Sequence, residues 1–289
     1  MSVKETIRAY YYLTKPGIIY GNSINAAAGF LLASAGHIDF LLFVETLAGI
    51  GLVMASACVF NNYIDRNIDH KMARTKNRAL VKGDIAVNSA LAYGVMLGIL
   101  GFTILAFYTN QLTVWLGVIA FVDYIVFYGV TKRKSVFGTI VGSIAGALPP
   151  VAGYTAVTGH LDGGALILFL IYALWQMPHF YAIAMYRYDD YKKAGLPVLP
   201  VVKGTRAAKV QVLAYITTFI LACSLLTVWG YTGYIYLAVV GLAGLYWLWL
   251  GIKNYNKLSD KMWGKKMFLF SLIVILVLAV MLSVGPVLV

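Results

Sequence analysis

Residues 40–78 read FLLFVETLAGIGLVMASACVFNNYIDRNIDHKMARTKNR. Residues 40–60 carry a single charge, Glu45, whereas residues 61–78 carry two Asp, three Arg, two Lys and one His. An apolar run of ~20 residues is long enough to cross a bilayer as a helix. The stretch therefore reads as a membrane span that runs directly into a charged aqueous segment. The fold class depends on whether that pattern recurs.

It recurs along the whole chain. The 289 residues are 61% hydrophobic and only 12% charged, against ~25% charged for soluble domains. The mean hydropathy is +0.80. Apolar runs predict nine spans, over 17–34, 40–60, 86–108, 112–130, 139–158, 164–184, 210–229, 234–251 and 267–288. These leave no stretch long enough for a soluble domain. The expectation is an all-α, polytopic integral membrane bundle of about nine transmembrane helices, forming one domain over 1–289. The first fifteen residues hold Lys4, Glu5, Arg8 and Lys15 without an apolar core, so no cleaved signal peptide is expected.

Charge sets the expected orientation. With the N-terminus placed in the cytoplasm, all 23 Lys and Arg fall in the N-terminal tail and the loops after spans two, four, six and eight. The alternate loops hold none. Retention of cations on the cytoplasmic side is the positive-inside rule. The net charge of +12 is then mainly a topology signal, with attraction to anionic lipid or substrate, and does not call for nucleic acid. Cys58 and Cys223 fall at different depths, which argues against a disulfide, and both read as small apolar residues.

Two polar clusters follow even-numbered spans on the charged side. In the first, Asn61, Asp65 and Asp69 stand at i, i+4 and i+8. They share one face if the helix of span two continues beyond the membrane. An amide and two carboxylates with phosphate oxygens and water can hold Mg²⁺. Lys71, Arg74, Lys76 and Arg78 supply cations for an anion, so a metal–diphosphate complex reconciles the two signs of charge. Taken singly, these cations are equally explained as a solvated positive-inside loop. The second cluster is MYRYDDYKKAGLPVLPVVKG, residues 185–204. It pairs Asp189 and Asp190 with Lys192 and Lys193 on a Tyr-rich approach that includes Tyr186. Pro197 and Pro200 should stop a helix there.

Inside the spans, Asp123, Gln176 and His179 are costly in lipid and should face the bundle interior, lining a cavity or bonding neighbouring helices. Asn22 and Asn25 lean toward helix packing. Pro178 should kink its helix, and Pro149 with Pro150 should break or bend theirs.

These motifs together resemble the UbiA-type intramembrane prenyltransferases, in particular their haem-farnesylating branch. The resemblance rests on NNYIDRNIDHKMARTKNR, WQMPHF and DYKKAGLPVLPVVKG, and it extends over essentially the whole chain. It implies that Asn61, Asp65 and Asp69 form a Mg²⁺–diphosphate site. Asp190, flanked by Asp189, is the acid of a second motif. Arg74 and Arg78, helped by Lys71, Lys76 and Lys193, hold the diphosphate. It implies farnesyl diphosphate and haem b as substrates in an inner membrane, with the active site on the cytoplasmic side. Association with haem A synthase or terminal oxidase assembly is a further implication. His179, Gln176, Asp123, Asn22 and Tyr186 are the candidates for a haem or prenyl pocket. The chain departs from quinone-forming relatives at Ala194, where they carry a second Asp four residues after the first. A proline common after the last Arg of the first motif is Ala79. The competing readings are an aromatic prenyltransferase and, in another class, a transporter of an organic anion. Transporter sites usually lie at the midplane on broken helices, whereas these clusters lie at helix ends.

Overall fold

The computed structural model describes residues 2–287; Leu288, the last residue of the ninth expected span, lies outside them. The described chain is helical, with no strand among those residues. The order is α1 (Val3–Leu13), α2 (Pro16–Ser34), α3 (Phe40–Asp69), α4 (Ala79–Lys82), α5 (Val87–Tyr108) and α6 (Gln111–Lys134). It continues with α7 (Gly138–Thr158), α8 (Gly163–Tyr186), α9 (Tyr188–Ala194), α10 (Leu199–Val202), α11 (Gly204–Val228), α12 (Tyr234–Lys253) and α13 (Asp260–Val284). In lipid every backbone polar group must find a partner within the segment, which leaves the helix as the only form for such apolar runs.

Eight of these helices are long and apolar enough to cross a membrane. The first expected span, which folds as α2, has 19 residues but is not among those eight. Asn22, Ser23 and Asn25 dilute its apolar character. It is nonetheless packed inside the bundle, against α3, α7 and α13. Sequence-adjacent spans pack side by side. Helices α7 and α8 are the inner ones: 67% and 61% of their apolar windows are buried, against 28% and 22% for α5 and α6.

Small residues let the inner helices approach closely, as is common where lipid removes the hydrophobic drive between helices. A Cβ on Gly29 of α2 would collide with the Pro150 carbonyl of α7, and one on Gly153 would collide with the Ala26 carbonyl. Pro149, Pro150 and Pro178 all lie inside helices that run on without a break. Asp39, Asn110 and Asp162 cap the starts of α3, α6 and α8 by accepting from the backbone N–H three residues on. Both cysteines are free and buried.

Two local features bear on function. The segment before α2, which the sequence suggested only as a charged tail, folds as the helix α1 with a capping box between Ser2 and Glu5. Within α6, residues Asp123–Phe127 form a π-helical turn. Such turns add a residue to the helix and frequently sit near functional sites.

Candidate active site

Helix α3 does continue past the apolar run, to Asp69. This puts Asn61, Asp65 and Asp69 on one face over its last turns. Asn61 and Asp69 are buried and Asp65 is half-buried. After Asp69 the chain winds through turns and returns on itself. The Thr75 hydroxyl donates to the Asp69 carbonyl at 2.8 Å, and the Met72 side chain within the loop is buried. The return brings the Arg78 guanidinium 2.5 Å from the Asp69 carboxylate.

Asp65 is held from another element. Lys132 Nζ, near the end of α6, lies 2.6 Å from one carboxylate oxygen, and Arg133 lies 3.0 Å from the other. Arg133 also donates to the Ile64 carbonyl at 2.5 Å. Tyr124, Tyr128 and Lys132 are spaced four apart, Tyr124 within the π-helical turn and the other two beyond it. The two rings stack at 5.5 Å, and the Lys132 ammonium lies over the Tyr128 ring at 4.7 Å.

Asn61 is held by a third element. Lys15 Nζ donates to Asn61 Oδ1 at 2.5 Å. Lys15 is half-buried as a residue, but its ammonium lies inside the cluster, and burial pushes its pKa down to about 8. The other amide atom, Asn61 Nδ2, is buried without a hydrogen-bond partner. Two carboxylates thus face four cations, Lys15, Arg78, Lys132 and Arg133. The cluster has a surplus of positive charge and one orphaned donor, which are the properties of an anion site.

The second sequence cluster folds over the first. Tyr191 on α9 lies within electrostatic reach of Arg74, Asp190 and Tyr128, and burial pushes its phenol upward. Asp190 is half-buried and Asp189 exposed. Neither makes an ion pair among the described residues. Lys71, Arg74, Lys76 and Lys193 are exposed at the same rim, again without ion pairs among those residues. No group of three His, Cys, Asp or Glu converges to hold a metal by protein ligands alone among the described residues.

The deeper candidates are spread apart. Gln176 donates to the Ser143 and Tyr172 carbonyls at 3.1 and 3.0 Å, joining α8 to α7. His179 Nδ1 lies 2.6 Å from Ser271 Oγ of α13, with its ring stacked on Trp175 at 4.6 Å. Asp123 accepts from the Ala145 backbone N–H at 3.2 Å. Asn22 bonds back to the Ile18 carbonyl of its own helix. Tyr186 is at the rim, with Arg187 over its ring at 4.6 Å and Lys265 at 5.8 Å. The sequence reading missed Lys15, Lys132, Arg133, Tyr124, Tyr128 and Tyr191 as site residues. The four-residue spacing of Tyr124, Tyr128 and Lys132 was the available signal.

A column of two carboxylates and an amide, ringed by cations, thus stands at the end of a membrane bundle. The pattern of the UbiA prenyltransferase family matches residues 23–273. The chain belongs to that family. A curated relative from Klebsiella pneumoniae subsp. pneumoniae, protoheme IX farnesyltransferase, is 54% identical over 96% of this chain and 94% of its own length. Among solved structures, a digeranylgeranylglyceryl phosphate synthase superposes with a TM-score of 0.80 at 21% identity, covering 99% of this chain and 100% of that one. A UbiA homologue from Archaeoglobus fulgidus bound to GPP and Mg²⁺ gives a TM-score of 0.74 at 18% identity, covering 95% and 99%. At such identity these structures establish a shared fold. The chain is thus an all-helical, multi-pass membrane protein of the UbiA family.

Proposed function

We propose that the chain is a Mg²⁺-dependent protohaem IX farnesyltransferase. It joins the farnesyl group of farnesyl diphosphate to a vinyl group of haem b with addition of one water, giving haem O and diphosphate. The observation that supports this best is the column of Asn61, Asp65 and Asp69 with its four cations, set where apolar spans meet water. A substrate with a long apolar tail and a polyanionic head matches that boundary. The farnesyl and haem specificity is the named activity of the Klebsiella relative.

The residues fit a Mg²⁺–diphosphate pair. Asn61, Asp65 and Asp69 offer the hard oxygen donors that Mg²⁺ takes alongside phosphate oxygens. Asp190, with Asp189 beside it, offers a further carboxylate from α9. Bound there, Mg²⁺ would neutralise charge that builds on the leaving diphosphate. The orphaned Asn61 Nδ2 is a donor for a phosphate oxygen. The cations that now satisfy Asp65 and Asp69 are those left to hold the diphosphate: Lys132, Arg133 and Arg78. Lys15, Lys71, Arg74, Lys76 and Lys193 complete the ring.

The chemistry follows from these positions. Cations fixed in advance stabilise the diphosphate as the bond from its oxygen to the first farnesyl carbon breaks and both electrons leave with oxygen. The stacked Tyr124 and Tyr128 offer ring faces to the allylic cation. The terminal vinyl carbon of haem b bonds to that carbon. Water then adds to the benzylic-type cation left on the porphyrin side and loses a proton, giving a hydroxyethylfarnesyl group. No protein nucleophile is used. In this reading Gln176, His179 and Asp123 hold α6, α7, α8 and α13 together around the prenyl chain, Asn22 stays within α2, and Tyr186 lies at the rim.

The same reading places the N-terminus and the site on the cytoplasmic side of the inner membrane, with all 23 Lys and Arg on that side. It treats the chain as one domain, and it makes haem A synthase or a terminal oxidase the consumer of the product. The test is to incubate membranes containing the protein with farnesyl diphosphate, Mg²⁺ and either haem b or a 4-hydroxybenzoate-like acceptor. Farnesylated, hydrated haem by mass is expected. Prenylation of the aromatic acid alone would instead make this an aromatic prenyltransferase. Solute uptake without covalent change would make it a transporter.

A further inference from the structure

A cleft of about 400 Å³ opens on the outside of the bundle between α7, α8, α10 and α11. It is at the same end as the Asp65 cluster. One wall begins at Val136 and Phe137, just past Lys132 and Arg133, and the rim carries Lys203, just past the second acidic cluster. We propose that this cleft docks haem b from the bilayer, with a propionate at Lys203 and the porphyrin against Tyr181 and Tyr215. The inference rests on the farnesyltransferase reading above and deepens it by assigning the acceptor's place.

The wall chemistry selects the occupant. Phe137 and Ile140 are exposed apolar residues, as a membrane-facing groove for lipid tails would also have. The facing helix differs. Gln211, Tyr215 and Thr218 recur on one side of α11, inside a segment apolar enough to cross the membrane. Polar side chains at such positions are costly against hydrocarbon and mark ligand paths by default. The side-chain polar atoms of Tyr181, Gln211 and Tyr215 have no hydrogen-bond partner among the described residues. An acyl chain would leave them so. The half-buried Tyr215 ring offers aromatic surface to a planar ligand, and the buried Tyr181 ring stands behind it at 6.2 Å, tilted by 58°. Lys203 is exposed at the rim, where an anionic group would sit if the flat apolar body lay within. A planar amphiphile with carboxylates on one edge meets all three demands: aromatic faces, polar edges and one rim cation. No His or Cys lines the cleft. The cleft thus lacks the two side chains that most often hold haem iron permanently, which suits a substrate that must leave as product.

His179, the first candidate for a haem contact, is accounted for differently. Its Nδ1 is committed to Ser271 and its ring to Trp175. Tyr181, two residues on in the same helix, is the residue that reaches the cleft.

The test uses the full-length protein in detergent, titrated with haem b and followed by its Soret band. Ala214→Trp fills the cleft from α11 and should weaken haem binding by about tenfold or more, the scale of overpacking a filled site. Lys203→Glu should weaken binding of haem b several-fold and leave binding of haem b dimethyl ester, which lacks the propionate charges, unchanged. Neither change should alter KM for farnesyl diphosphate. Leu242→Trp, on the exposed side of α12, controls for an added Trp and should alter nothing. Wild-type haem affinity in Ala214→Trp would overturn the proposal and leave the cleft to lipid. Equal sensitivity of the diacid and the ester to Lys203→Glu would overturn the propionate assignment. Failure of the wild type to farnesylate haem b would instead overturn the functional reading. The two failures are therefore separable.

Discussion

Lys15 Nζ donates to Asn61 Oδ1 at 2.5 Å, while the next residue, Asn62, donates to the Leu13 carbonyl at 2.6 Å. Two adjacent asparagines on α3 thus do different jobs. Asn62 ties down the backbone between α1 and α2, and Asn61 meets the side chain that this backbone presents. The tie has work to do, because Lys15 has a φ of 54°. A non-glycine residue in the left-handed region costs on the order of 1–3 kcal/mol and persists only where its surroundings hold it. Pro16 then starts α2 at a position where its missing N–H costs nothing.

Lys15→Ala is therefore expected to lower kcat/KM for farnesyl diphosphate by about 10²-fold, the scale of losing one preorganised charge-stabilising donor. Asn62→Ala should give a smaller loss in the same parameter, since it frees the segment without removing the charge. The double variant should resemble Lys15→Ala, because both act through one ammonium. Steady-state kinetics on the three variants measure this; fully additive losses would separate Asn62 from Lys15.

Asp65→Ala and Asp69→Ala should each abolish Mg²⁺-dependent farnesyl transfer while the protein still inserts. Each change strands the cations that the carboxylate now satisfies: Lys132 and Arg133 in one case, Arg78 in the other. The loss should therefore survive high Mg²⁺, which cannot restore the missing oxygen donors. Membrane fractionation and a product assay over a Mg²⁺ series check both parts.

Some of this site could be read from the sequence, and the division follows the range of the interactions. The Asn61, Asp65 and Asp69 column was legible because one helix's periodicity places all three. Arg78 was legible as one of the cations that follow the column, and through the family resemblance as a diphosphate holder, but its closure onto Asp69 was not. Lys132 and Arg133 were not: the positive-inside rule already accounts for any Lys or Arg in that loop, so their pairing with Asp65, more than sixty residues earlier, left no excess signal. Lys15 was hidden in the same way. Gln176 and His179 show the converse. Their polarity inside spans was visible, but whether each lines a cavity or bonds a neighbouring helix depends on which helix stands opposite. The π-helical turn of α6 was also invisible, since no residue type within Asp123–Phe127 demands it.

One hydroxyl ties the loop between α3 and α4 back to the end of α3, and this gives a milder prediction. Thr75 is buried and donates to the Asp69 carbonyl at 2.8 Å. Thr75→Val keeps the shape and removes the hydrogen bond, leaving the Asp69 carbonyl only the longer bond from the Met72 N–H at 3.3 Å, at a cost of about 1 kcal/mol. The loop should loosen and Arg78 should lose its fixed approach to Asp69. A several-fold rise in KM for farnesyl diphosphate is expected, with a lower melting temperature in detergent. Thr75→Ser should restore both. A variant that melts early but keeps its KM would make Thr75 a purely structural residue.

The contact between α2 and α7 should be intolerant of any larger side chain. Gly29 and Gly153 each lie against a backbone carbonyl of the opposite helix, of Pro150 and Ala26. A carbonyl cannot rotate away as a side chain can, and proline holds its own backbone rigid. Gly29→Val or Gly153→Val must therefore push the helices apart and should cost about 3 kcal/mol or more. Helix α2 is long but falls short of the apolar character of the eight spanning helices, so it depends on this packing, with α3 and α13, to stay in the bundle. Since its N-terminal end carries Lys15, separation at Gly29 should also withdraw the ammonium from Asn61. Gly29→Val is thus expected to lower both the melting temperature and the affinity for farnesyl diphosphate. Thermal unfolding and substrate titration on the same detergent preparation test whether the two losses occur together.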